Sequence, residues 1–347
     1  MGDGVSHIWR YDAIAAAQRD QNAKRHEYYF TLPSPLMTSL KEMLNDERDE
    51  PLLLTLANII LTVIPTALLL YALPPSNVLG AFYVACLYVL WVERFILALH
   101  YSSHRRLFSK KSEPLNMVTE WVLAPFFGIP IGTYTTHHCV MHHTEDNGGL
   151  DLSSTEPYQR DSFLHFLHYW LRFVFLSTIE LPIYCARRRR YGLLSKLLAG
   201  EALWLLLLRT LYGLRPVQTV WVFLVPFLVS SFLLMFGNWS QHIFIDPSKP
   251  ESDYTLTYNC VDHSGNQRSF NDGYHIIHHI NSRVHWSELP DKFIDTVDKH
   301  RAEDAFVFRG IGFFDVGFAC MTGQLGWLAD RLTLCSDKRK SKEELIA

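Results

Sequence analysis

The chain has 347 residues, 48% of them hydrophobic, and a formal net charge of −3, a balance that gives no case for a nucleic-acid partner. Its apolar residues are clumped rather than spread in short amphipathic runs, which points to a bilayer and away from two average soluble domains. The cysteines Cys86, Cys139, Cys185, Cys260, Cys320 and Cys335 stand far apart with no CxxC pair, so neither a zinc site nor a disulfide framework is indicated and the thiols are expected to be reduced.

In chain order, the mostly polar segment 1–50 lacks the basic-then-apolar plan of a cleaved signal peptide and reads as a cytoplasmic N-terminal segment. Roughly 20 apolar residues cross a ~30 Å hydrocarbon layer. By that length the spans are 52–73, 79–99, 193–212 and 217–237, the third despite Lys196, Glu201 and Arg209. The apolar stretch 115–131 is broken by Pro125 and Pro130, and 163–184 carries His165, His168, Arg172 and Glu180. Both are expected to be interfacial or re-entrant helices. Lys and Arg gather on the cytoplasmic side of short loops. Here Arg105, Arg106, Lys110 and Lys111 follow the second span and Arg187 to Arg190 precede the third, whereas the turns 74–78 and 213–216 hold only Arg215. The reading is an all-α integral membrane protein with four transmembrane helices in two hairpins and a cytoplasmic helical cap holding a histidine-rich di-metal site. The membrane domain is placed at 51–330, followed by a charged tail, 331–347, expected to be disordered.

Three histidine clusters fall on the predicted cytoplasmic side. The first, His100-x3-His104, closes the second span, where a continuing helix puts i and i+4 on one face. The second is His138-x3-His142-His143 and the third His275-x2-His278-His279, each gathering three imidazoles within about one helical turn. Any one cluster could be a solvated surface; three on one side argue for metal. Neutral imidazole suits iron, copper, zinc and nickel, and eight imidazoles exceed the capacity of one ion. Two metals with open positions suit redox chemistry on dioxygen better than hydrolysis.

The order HxxxH, HxxxHH, HxxHH among two hairpins resembles the histidine boxes of the membrane fatty acid desaturase and hydroxylase superfamily, over about His100 to Pro290. In its acyl-CoA desaturase branch a further histidine, with an asparagine four residues before it, lies at the end of the last span; here that place reads Asn238-Trp239-Ser240-Gln241-His242. The resemblance implies nine imidazole ligands, His100, His104, His138, His142, His143, His242, His275, His278 and His279, with Asn238 coordinating weakly or through water. It also implies two iron ions, dioxygen, a membrane lipid or acyl substrate, and an external electron donor such as cytochrome b5 with its reductase or a ferredoxin. A location in the endoplasmic reticulum, if the protein is eukaryotic, follows from the same resemblance. One departure bears on the reaction. Desaturases usually carry HxxHH as the second box, and HxxxHH followed by Asp146 and Asp151 is also similar to alkane hydroxylases, whereas the Gly273-Tyr274-His275 lead into the third box is close to the desaturase form. The expected activity is therefore an O2-dependent desaturase; a hydroxylase with the same centre is the alternative, and a non-catalytic protein with vestigial boxes is the reading from another class.

Around the boxes, Glu93 shares a helical stripe with Leu97, His100 and His104 and could orient an imidazole through its free ring nitrogen. Asp146, Asp151, Asp246 and Asp272 are the other carboxylates placed to do so, and His137, His263 and His285 read as supporting rather than ligating residues. Trp239 and Trp286 flank ligand boxes and fit an interfacial aromatic belt, and Arg187 to Arg190 fits anionic lipid at the membrane surface. No residue is singled out for the substrate.

Overall fold

The computed structural model describes residues 3–23, 28–246, 248–249, 252–333 and 342–346. Helices dominate. In chain order α1 (Asp3–Asn22) and α2 (Ser34–Lys41) precede α3 (Glu50–Ala72), and α4 (Asn77–Leu87) runs through a π-helical turn, Tyr88–Val92, into α5 (Glu93–His104). Short 3-10 and π segments cover Lys110–Phe127, and a π-helix, Thr136–His142, leads into α6 (His143–Glu145). Next come α7 (Phe163–Arg187), α8 (Tyr191–Leu214), α9 (Pro216–Thr219), a π turn and α10 (Val225–Gln241). The remainder holds α11 (Asp253–Leu256), α12 (His275–Ile280), α13 (Leu289–Ala302), α14 (Phe313–Met321), α15 (Leu325–Ala329) and α16 (Lys342–Ile346). A parallel strand pair, β1 (Asn259–Val261) and β2 (Val307–Arg309), pairs Asn259 with Val307 and Val261 with Arg309.

Among the described residues, four helices are long and apolar enough to cross a membrane: Glu47–Ala72, Asn77–His104, Tyr191–Leu214 and Pro216–Gln241. The helices contain the predicted spans 79–99, 193–212 and 217–237 and extend them, whereas the first, 52–73, begins earlier than predicted and stops one residue short, at the extended C-cap Leu73 ahead of Pro74 and Pro75. The stretch 115–131 is a broken run of 3-10 and π turns, as its prolines require, whereas 163–184 lies within one unbroken helix. Within the tail, 334–341 and Ala347 lie outside the described residues, and Lys342–Ile346 is helical, its Lys342 ammonium 2.6 Å from Asp330.

The chain divides into two compact units. One comprises Met1–His26, Glu145–Leu171 and Leu234–Ala347; the other comprises Glu27–Thr144 and Arg172–Leu233. The second unit carries most of the apolar helix length. Inside it α3 starts with Pro51 in its first turn, where no N–H partner is lost. Thr62 and Thr66 turn their hydroxyls back to the carbonyls of Asn58 and Thr62 at 2.7 Å, which removes bare polar groups from an apolar span. The buried Asn58 side chain pins the approach to α3, accepting from Phe30 N–H and donating to Phe30 O. Ser76 caps α4, and Gly80 lets Trp221 against that helix: a Cβ there would lie 2.2 Å from the indole. Tyr88 Oη then donates to Pro226 O at 3.1 Å and meets Ser230 Oγ at 2.7 Å, tying the second span to the fourth.

In the first unit the core forms around Trp239, Tyr258, Tyr274 and Phe293, all fully buried. The N-terminal helix belongs to this unit and packs on α13. Buried Asp20 accepts from Asp262 N–H, the Asn266 amide and Tyr274 Oη at 2.8, 3.0 and 2.7 Å. Arg19 pairs with Asp262 at 2.9 Å beside it.

Candidate metal-binding histidines

The second unit holds the first two boxes. On α5 the His100 and His104 rings stand one turn apart, centroids 5.1 Å, with His100 buried. The second box is not α-helical. His143 N–H reaches the His138 carbonyl, an i to i+5 bond that makes Thr136–His142 a π turn. A π turn is a one-residue insertion into an α-helix. His138 and His143, five apart in sequence, therefore meet as neighbours one turn apart, their Nε2 atoms 3.2 Å from each other. His100, His104 and His138 bring ligand nitrogens within 4.8 Å of one another, and His142 stands 5.6 Å from His138 by ring centroid. Burial, then the neighbouring imidazoles, hold His138 well below the ordinary histidine range. Neutral rings with lone pairs, crowded where several protons would repel, fit a cation.

This second box is held from upstream. Glu120, in the broken segment, accepts from Thr135 N–H and Thr135 Oγ1, both at 2.8 Å, and so satisfies the start of the π turn. Burial raises the Glu120 carboxyl and the Thr135 bonds pull it back. Nothing in the sequence around Glu120 marks it. The His137 ring lies edge-on to Phe173 at 5.3 Å. The Cys139 thiol lies 3.7 Å from His104 Nε2.

The first unit holds the remaining histidines. His242, at the end of α10, is fully buried and donates Nδ1–H to Leu256 O at 3.1 Å, which leaves Nε2 with the lone pair. Its ring is 5.1 Å from His279 and 5.9 Å from His275, and His275 stands 4.8 Å from His279. The helix α12 that carries the third box is capped from afar: Ile276 N–H donates to Asn259 Oδ1 at 3.0 Å, and Tyr274, just before it, is the residue whose hydroxyl meets Asp20. His278 is buried on the same helix.

Two of the candidate carboxylates face imidazoles. Asp272 Oδ1 is 4.0 Å from His275 Nδ1, and Gln241 spans the pair, donating to Asp272 Oδ2 at 3.1 Å. Burial pushes the Asp272 carboxyl up to about 7, against the Gln241 bond. Asp146, in a left-handed turn at φ 46°, is 3.7 Å from His279 Nδ1. Of the remaining candidates, Asp151 accepts from Ser153 N–H and Oγ at 2.7 Å, and Asp246 from Ser248. Glu93 opens α5, two turns before His100. His263 and His285 cap the 3-10 turns that follow them, through Gly265 N–H and Ser287 N–H. Asn238 uses both amide hydrogens, on Ser153 O at 2.9 Å and Tyr169 Oη at 2.7 Å, so Oδ1 is its remaining donor atom toward a cation. Trp239 and Trp286 belong to the core rather than to an exposed belt; the Trp239 indole donates to Arg160 O at 3.0 Å. In the basic run, Arg190 donates to Val140 O at 3.3 Å, beside the second box, while Arg187, Arg188 and Arg189 are exposed.

The family model described as fatty acid desaturase matches residues 75–303, about two thirds of the chain. No curated protein and no solved structure matches significantly. The chain belongs to the fatty acid desaturase family.

Proposed function

From that membership, we propose that the protein is an O2-dependent di-iron desaturase that introduces a double bond into a fatty acyl or related lipid chain. The observation that carries the reading is the π turn of the second box. Its extra residue relative to the usual desaturase pattern is taken up by the wider turn, so the departure toward the hydroxylase pattern leaves the imidazole pair in register. In this reading His100, His104, His138, His142, His143, His242, His275, His278 and His279 hold the irons and Asn238 Oδ1 contributes directly or through water. Asp272 and Asp146, 4.0 and 3.7 Å from the Nδ1 atoms of His275 and His279, act on these rings through their charge.

Unactivated C–H bonds offer no acid, base or electrophile to side chains, and the pair of iron ions supplies the redox chemistry on dioxygen. The balance is a –CH2–CH2– unit, O2, two electrons and two protons giving –CH=CH– and two waters. The electrons come from a separate donor of the cytochrome b5 or ferredoxin kind. What this chain contributes is placement: helices fix the rings, and buried surroundings keep them neutral. The protein is a multi-pass membrane protein, and we place its histidines on the cytoplasmic face of the endoplasmic reticulum. Mass spectrometry of a reconstituted reaction under ¹⁸O2 tests the reading. An alkene two hydrogens lighter than its substrate, without labelled oxygen, is expected. An alcohol carrying one labelled oxygen and no alkene makes the enzyme a hydroxylase.

A further inference from the structure

The C-terminal part of the first unit contains a helix whose burial pattern a soluble cap does not explain. In α14 the inward side is Val316, Gly317, Ala319 and Cys320, all buried. The outward side carries Phe314 at 50% and Phe318 at 61% exposure, one turn apart, followed by Met321 at the next turn. Two exposed phenylalanines on one helical face are a large apolar payload to leave in water.

The position of α14 says what covers them. Gly317 packs directly on the end of the last span: a Cβ there would lie 2.0 Å from Ser240 Oγ and 3.2 Å from the Phe236 ring. Phe314 stacks on Phe236 with centroids 5.4 Å apart and planes 8° from parallel. The span containing Phe236 begins at Pro216, and about 20 residues of helix cross the hydrocarbon layer, so Phe236 stands where that crossing ends. The aromatic contacts continue sideways. Phe166 meets Phe236 at 5.3 Å and Phe163 at 6.2 Å, which brings the start of α7, with Phe163 and Leu164 exposed at 50% and 74%, to the same cluster. The apolar face of α14 is thus continuous with the membrane-facing end of a span. The polar side is also in place: Asp315 accepts from Gly312 N–H at 2.9 Å and lies 4.0 Å from His263.

We infer that α14 is an in-plane membrane anchor outside the four spans, with Phe314 and Phe318 inserted among lipid acyl chains at the bilayer interface. A helix lying flat with aromatics on one side and polar groups on the other binds at this depth. The anchor joins the C-terminal part of the chain to the membrane at the residues that lead into His242, so it holds the end of α10 from its outer side.

The test uses the full chain in lipid nanodiscs and two probes. A lipid-partitioned aryl diazirine is activated by light and modified peptides are mapped; hydroxyl radicals report water contact on the same sample. Phe314 and Phe318 are expected to be modified by the diazirine alongside the spans and to be protected from radical oxidation, while exposed Thr322 and Gln324 show no diazirine adduct. Radical oxidation of Phe318 without diazirine labelling means the face is in water and overturns the proposal. Protection from both probes means that protein, such as a second copy of the chain, covers the face, and overturns it as well. Because neither probe reads turnover, the result stands apart from whether the product is an alkene.

Discussion

The two units hold their histidines by different means. In the second unit His100 and His104 ride on a continuous apolar span, and His138, His142 and His143 are set by the winding of one short turn. Neighbours in sequence do most of the positioning, with Glu120 fastening the start of the turn from fifteen residues upstream. In the first unit α12 is six residues long, too short to be stable alone, and its orientation comes from side chains far away in the chain. Asn259 caps it, Tyr274 is tied to Asp20 across 254 residues, and His242 is turned by the carbonyl of Leu256. Local winding, with one nearby carboxylate, suffices for the first two boxes, whereas the short helix of the third box depends on hydrogen bonds from residues distant in the chain.

The largest effect tests what the two sets have in common. Substituting His142 or His143 in one set, or His278 or His279 in the other, with alanine is expected to lower turnover at least ~100-fold. Each is also expected to lose the irons as a pair, by metal analysis of pure protein. Full iron and full turnover in two of these variants would break the assignment of the boxes as ligands.

A difference between the sets is next exposed by pH. His300 in α13 donates Nδ1–H to Thr296 O at 2.9 Å and accepts at Nε2 from the Asn259 amide, the residue that caps α12. Burial holds its pKa down at about 4, from an ordinary 6.5. A histidine held neutral in the fold contributes stability that is present in full above its unfolded pKa and is lost as pH falls toward the folded one. Between pH 6.5 and 4 the first unit should lose about 3 kcal/mol from this group. Hydrogen exchange at β1 and α12 should accelerate through that window in the unmodified chain and markedly less in a His300→Gln variant. Equal acceleration in the two would remove His300 as the cause.

Asp20 and Glu120 sharpen the comparison further. Changing Asp20 to Asn weakens three hydrogen bonds to a buried carboxylate and is expected to cost about 2 kcal/mol. Exchange should rise in 274–280 and stay unchanged in 136–143. Glu120→Ala removes a cap-like acceptor worth about 1 kcal/mol and should do the reverse. If either variant loosens both regions equally, the boxes are not independently supported.

What could be read in the sequence follows the same division. The spans and all three boxes show there, because hydropathy and i, i+3, i+4 spacing are local signals. Glu120, Asp20, Asn259 and Tyr169 do not, since each acts through a partner that only the fold brings near, and none stands in a patterned run. The candidate carboxylates divide for the same reason: Asp146 and Asp272 face rings while Asp151 and Asp246 fold back on nearby serines, a choice set by backbone turns such as the left-handed one at Asp146. The π winding of the second box is intermediate. Its spacing is visible as HxxxHH, but an α-helical reading puts the last histidine off the face that the structure gives it.

The smallest expected effect concerns that winding. If the π turn takes up one extra residue, deleting Val140 should let 136–142 close into an α-helix in which the outer histidines, now four apart, again stand one turn from each other. The side chain of Val140 is only half-buried, and its carbonyl accepts from Tyr184 and Arg190 at 3.4 and 3.3 Å, bonds that a neighbouring carbonyl can take over. A π turn is less favourable than an α turn, so the shortened segment gains in local geometry what it loses in those contacts. Turnover in the deletion variant should therefore fall less than ~10-fold, with both irons kept, whereas inserting a residue at the same place should displace His142 and His143 and cost the metal. Loss of iron in the deletion variant would mean that the HxxxHH spacing is itself required, and would move the chain toward the hydroxylase reading.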